Sequence, residues 1–109
     1  MTRRVVVTGV GLLTPLGPGT ETSWEAIRAG KCGIGPITQF DATAFSCRIA
    51  GEVKGFDPAA YIEKKEIKKM GRFIQFAIAA ADCALKTSGL KVTAENEEQV
   101  GVYLSLIHI

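Results

Sequence analysis

The sequence predicts an α/β layered fold, on three observations. A β-branched run, Val5-Val6-Val7, stands near the N-terminus, and apolar residues recur at helical spacing from Ile67 to Leu85. A second apolar, β-branched stretch runs from Val100 to Ile109. Strand, helices, strand is the order of a layered α/β unit. The 109 residues suit one small domain, and 47% hydrophobic against 22% charged places the chain among globular rather than disordered sequences.

Each element follows from local chemistry. Residues 4–13 read as a buried strand of a parallel or mixed sheet, because a valine run bounded by glycines suits a site covered on both faces. Thr14-Pro15-Leu16-Gly17-Pro18-Gly19 forces a loop. Thr20 to Ala29 reads as a helix with Thr20 as N-cap and Ser23 as a competing start. Trp24 and Ile27 supply its apolar side, and Gly30 stops it. From Lys31 to Pro58, glycines and prolines predict irregular structure, with a short strand over 48–53. A turn near 58–62 precedes a long helix over 64–88, whose stripe is Ile67, Met70, Ile74, Ile78, Ala81 and Leu85. Its second half, Phe73 to Leu85, is apolar nearly all round and is expected to be buried on most sides, with alanines at 77, 79, 80, 81 and 84 admitting close neighbours. Gly89 caps it, an acidic connection spans 93–99, and Val100 to Ile109 forms the second strand.

The chemistry is mostly defined by exclusion. A net charge of +2 and a pI of about 8.5 do not mark a nucleic-acid binder. The most apolar run, 73–85, falls short of the roughly 20 residues needed to cross a bilayer, so no membrane association is expected. Cys32, Cys47 and Cys83 match no zinc or redox spacing and read as reduced, buried thiols. His108 is a lone histidine without a catalytic partner in the sequence. Thr8-Gly9-Val10-Gly11 resembles the start of a dinucleotide fingerprint, but Thr14-Pro15 follows where a helix should open. The favoured reading is that these glycines let another backbone lie close. No cofactor, metal site or catalytic residue is assigned.

The feature that points to function is basic. Lys65, Lys68 and Lys69, flanked by Lys64 and Arg72, are set among only two acids, Glu63 and Glu66. Lys65, Lys68, Lys69 and Arg72 at spacings of three and four would share one helix face. Such a face is either solvated or steers an anionic partner.

RRVVVTGVGLLTPLG at 3–17, SWEAIRAGKCGI at 23–34, FDAT at 40–43, RIAGEVKGFDP at 48–58, KKMGRFIQFAIAAADCAL at 68–85 and SGL at 88–90 together resemble the start of the β-ketoacyl-acyl-carrier-protein synthase family, type II especially. The resemblance implies a thiolase-like fold, of which this chain would be the N-terminal part of the first half, incomplete, in an enzyme that works as a homodimer. It implies that residues 1–104 belong to the synthase N-terminal domain and that 105–109 depart from the family, as an artefact of truncation. The implied reaction is decarboxylative Claisen condensation of malonyl with acyl carrier protein in bacterial cytoplasmic fatty-acid synthesis, using a cysteine thiolate and two histidines. Those residues lie later in the family, and Cys32, Cys47 and Cys83 do not match the nucleophile's motif, so the fragment alone is expected to be inactive. The resemblance also places the docking face for the acidic carrier protein at Lys65, Lys68 and Lys69. Two rival readings are a non-catalytic module that binds an acidic carrier protein and a piece of a polyketide-type ketosynthase.

Overall fold

The computed structural model describes residues 2–106. The element order is helix α1 (Thr20–Arg28), strands β1 (Ile34–Pro36) and β2 (Ile49–Gly51), a 3-10 turn (Pro58–Ala60), helices α2 (Lys64–Ile67) and α3 (Arg72–Ser88), and a 3-10 turn (Glu97–Gln99). The chain divides into two compact units, one of Met1–Gly11 with Pro58–Ile109 and the other of Leu12–Asp57.

In the Leu12–Asp57 unit, Thr14 and Gly17 close a tight turn through paired backbone hydrogen bonds of 3.0 Å. Ser23, fully buried, secures that turn to α1. Its hydroxyl donates to the Gly17 carbonyl at 3.0 Å and lies 2.8 Å from the Thr14 hydroxyl. The Thr14 oxygen in turn accepts the Leu16 N–H. Helix α1 starts one residue earlier than Thr20 capping would allow: Gly19 is the N-cap, without a side-chain cap bond. Thr20 instead accepts the Leu12 N–H. The helix buries Ser23 and Ala26, whereas Trp24 and Ile27, expected as its apolar side, stay about half exposed. The left-handed Gly30 ends it, as predicted.

The predicted strand over 48–53 forms as Ile49–Gly51, and its partner is a stretch read as irregular. β1 and β2 pair antiparallel with Ile34 opposite Gly51 and Pro36 opposite Ile49. Beyond the ladder, the Glu52 carboxylate accepts the Thr38 N–H at 2.9 Å, the Thr38 hydroxyl at 2.7 Å and the Gln39 N–H at 3.2 Å. These bonds, the Thr38 hydroxyl's first, hold the Glu52 pKa below its ordinary value.

The other unit is organised on α3. Gly9 and Gly11 lie so close to it that an added Cβ would clash with the carbonyl oxygens of Ala84 and Ala80 respectively. The close-approach reading of these glycines is therefore the observed one. Helices and a two-stranded sheet are present, but the two strands expected on either side of the helices do not form among the described residues. Residues 4–13 form no strand, with Val5 90% and Val7 84% exposed, and neither do residues 100–106, where Tyr103 is fully exposed. A strand exists only where a partner satisfies its backbone groups, and β-branched composition cannot supply that partner. Residues 107–109, which include His108 and most of the 105–109 tail, lie outside the described residues.

The single helix expected over 64–88 is also corrected. α2 ends at Ile67, Lys68 is its C-cap, and the chain is extended at Gly71 before α3 begins. Glycine in a helix interior costs about 1 kcal/mol relative to alanine, which makes Gly71 the natural place for a break. The 73–85 segment is not buried on most sides. α3 buries only Gln75 and Ala79, leaving Phe73 44% and Leu85 41% exposed. An apolar groove of about 510 Å³ runs along it, with Ile74, Ile78 and Leu85 on one wall and Val102 and Leu104 on the other. No second layer among the described residues fills this groove.

Candidate functional site

The basic cluster sits on the turn joining α2 to α3. Lys64 and Lys65 lie on α2, Lys68 caps it, Lys69 follows in the turn and Arg72 opens α3. All five are exposed. The expected common helix face is thus broken: Lys64, Lys65, Lys68 and Lys69 gather on one short turn, and Arg72 lies beyond the bend at Gly71.

Two of the lysines are held by neighbouring acids. The Lys65 ammonium is 2.8 Å from Glu63, and the Lys69 ammonium is 2.9 Å from Glu66. Exposed pairs of this kind contribute about 1 kcal/mol or less and exchange readily with other anions. Lys64 and Lys68 make no ion pair among the described residues, and the Arg72 guanidinium stands 5.5 Å from the centre of the Phe76 ring. The turn therefore presents two unpaired cations, two weakly held ones and a stacked guanidinium, an arrangement suited to an anionic macromolecule rather than to one small anion.

A residue outside the cluster shapes it. Gln75, on the first turn of α3, is 9% exposed. Its amide NH₂ donates to the Ile67 carbonyl at 3.2 Å and to the Met70 carbonyl at 3.1 Å. The Ile67 carbonyl, at the end of α2, also accepts the Met70 N–H, and the Met70 carbonyl belongs to the turn that follows. The sequence contained a signal for this role: Gln75 is a polar residue inside an apolar run, and a buried amide needs partners.

The cysteines are not where burial alone would put them. Cys32 and Cys47 are exposed and Cys83 is half-buried. A small hydrophobe is buried only if a layer covers it, and these positions have none. Cys83 lies beside Tyr61, and charge on Cys83, followed by burial and a hydrogen bond between the two, raises the Tyr61 pKa. The Lys86 pKa is raised by its 2.6 Å bond to Asp82 and by that carboxylate's charge. No group of three or more potential metal ligands occurs among the described residues, and none of their helices is long and apolar enough to cross a membrane.

The comparisons with known proteins decide the family. Residues 2–108 match the model of the β-ketoacyl synthase N-terminal domain. The chain belongs to the β-ketoacyl synthase family. Among curated members, a 3-oxoacyl-[acyl-carrier-protein] synthase 2 of Vibrio cholerae is 54% identical over 100 residues, which is 92% of this chain and 24% of the relative. The Coxiella burnetii protein of the same name is 47% identical over the same shares. This β-ketoacyl synthase chain thus spans about a quarter of the length of the curated relatives it matches. A solved structure titled the ishigamide ketosynthase/chain length factor is 42% identical with a TM-score of 0.72, over 82% of this chain and 22% of that one.

Proposed function

We propose that this chain is the N-terminal part of a type II 3-oxoacyl-[acyl-carrier-protein] synthase, and that its contribution to the whole enzyme is a docking face for acyl carrier protein. The complete enzyme would be a cytoplasmic homodimer of thiolase-like fold that elongates acyl chains by decarboxylative condensation of malonyl with acyl carrier protein. The observation that carries this reading is 54% identity over 92% of the chain to a synthase 2. The exposed lysines of the α2–α3 turn support the docking role, because an acidic partner is attracted to unpaired and weakly paired cations at long range. The groove along α3 supports incorporation in a larger body, since an apolar face of this size wants cover.

The chain's own cysteines do not fit a nucleophile. Cys32 and Cys47 direct their thiols toward the carbonyls of Ile34 and Ile49, at 3.9 and 3.6 Å, rather than to a basic side chain among the described residues. Condensing activity is therefore expected only in a complete enzyme. Grafting residues 2–104 into the Vibrio cholerae relative, in place of its matching quarter, should preserve condensation. Within that enzyme, Lys65→Glu with Lys68→Glu should raise KM for acyl carrier protein with kcat little changed. An unchanged KM at low salt would remove the docking assignment.

The 42% identity to a ketosynthase/chain length factor favours a second reading, a polyketide-type enzyme. Product analysis of the grafted enzyme separates the two. Repeated elongation without reduction between rounds would favour the polyketide reading.

A further inference from the structure

We infer that Gln75 is a positioning residue for the lysine turn, acting through two backbone carbonyls rather than by touching a partner. This rests on the docking reading above and deepens it. The turn from Lys68 to Gly71 carries two of the docking lysines but little regular structure. Its backbone bonds are the Lys69 N–H to the Glu66 carbonyl at 3.0 Å and the Met70 N–H to the Ile67 carbonyl at 3.3 Å on the α2 side, and the Ile74 and Gln75 N–H groups to the Gly71 carbonyl at 3.0 and 3.3 Å on the α3 side. The glycine at 71 adds no side chain to brace it. The bend between α2 and α3 needs another tie, and the Gln75 amide spans it. One amide nitrogen, fixed on α3 and nearly buried, reaches the last residue of α2 and the residue before the glycine. Both of its hydrogens are used, so one side chain adds a tie across the bend to the backbone bonds on either side of Gly71.

The chemistry of that side chain matters more than its size. Methionine would fill a similar volume without donating. Glutamate would set a carboxylate against two carbonyl oxygens, all three of them acceptors. Either change frees the bend while leaving every lysine in the sequence, so the cations remain but no longer stand in one arrangement. A mobile set of charges still attracts an acidic protein, but it loses the preorganisation that makes docking productive.

The test is made in the complete synthase, with acyl carrier protein carrying an acyl chain and with the same chain as a carrier-free N-acetylcysteamine thioester. Gln75→Met should raise KM for the carrier-linked substrate by about three- to tenfold, the effect expected of one or two lost hydrogen bonds. Its kcat, and its KM for the carrier-free thioester, should match the unaltered enzyme. Gln75→Glu should behave in the same way at neutral pH and serves if the methionine variant fails to fold. Amide hydrogen exchange from Lys68 to Arg72 should quicken in both. Equal losses with both substrates would make Gln75 a general structural residue and overturn the inference. If Lys68→Glu raises KM for the carrier-linked substrate and neither Gln75 variant does, the inference falls and docking stands. If none of the three changes that KM, the docking reading fails and takes the inference with it.

Discussion

Replacing Gly11 by alanine tests the packing that organises the α3 unit. The added Cβ would clash with the Ala80 carbonyl oxygen, with the Ala80 carbonyl carbon at 2.8 Å and the Ala84 nitrogen at 3.0 Å. All three are backbone atoms of a hydrogen-bonded helix, so none can turn aside as a side chain would. Overpacking of this sort costs typically about 1–3 kcal/mol. Restricting the unfolded chain returns about 0.4–1 kcal/mol. The net expectation is a loss of about 1–2 kcal/mol. Gly35 supplies the control. Its backbone is not left-handed, and a Cβ there meets nothing within 4 Å, so Gly35→Ala should be neutral or stabilise by up to about 1 kcal/mol. The assay is urea unfolding of the complete synthase, comparing midpoints at constant slope. If Gly11→Ala fell within about 0.5 kcal/mol of the unaltered protein, the close approach of residues 9–11 to α3 would be wrong.

Three further outcomes are expected. The isolated 109-residue chain should bind a hydrophobic dye and melt without a cooperative transition, because its groove and valine runs lie open; a sharp calorimetric transition in a dye-silent monomer would contradict this. Glu52 should titrate together with the amides of Thr38 and Gln39. Its pKa in the folded protein lies below the ordinary 4.5, so the support it gives the hairpin is complete above that value and is lost as pH falls through the lowered one; an NMR midpoint at or above 4.5 would contradict the geometry. Glu66→Gln, which frees Lys69, should lower KM for acyl carrier protein by about two- to threefold at low salt and have little effect at high salt; a raised KM would mean that Glu66 helps docking.

Local chemistry was legible in the residues themselves. Gly30 and Gly89 stop their helices at the expected places, Ile49–Gly51 extends as its composition suggests, and the order of the matching stretches identifies the family without a structure. These features depend on neighbours in sequence, and for them the chain carries its own instructions. The lysines of the α2–α3 turn were visible in the same way, as charge at short spacing.

What tertiary structure decided is everything that needs a distant partner. Val5–Val7 and Val100–Tyr103 have the composition of strands, yet hydrogen bonds from another chain segment make a strand, and none reaches them among the described residues. The bend at Gly71 was hidden because the apolar stripe continues through it in register. Only in three dimensions does the Gln75 amide meet the Ile67 and Met70 carbonyls across the bend at Gly71. Burial of Ser23 rather than Trp24 has the same origin: which face of α1 turns inward depends on the Thr14–Gly17 turn packed against it. Periodicity specifies that a face exists, and the neighbour that covers it specifies which one is buried.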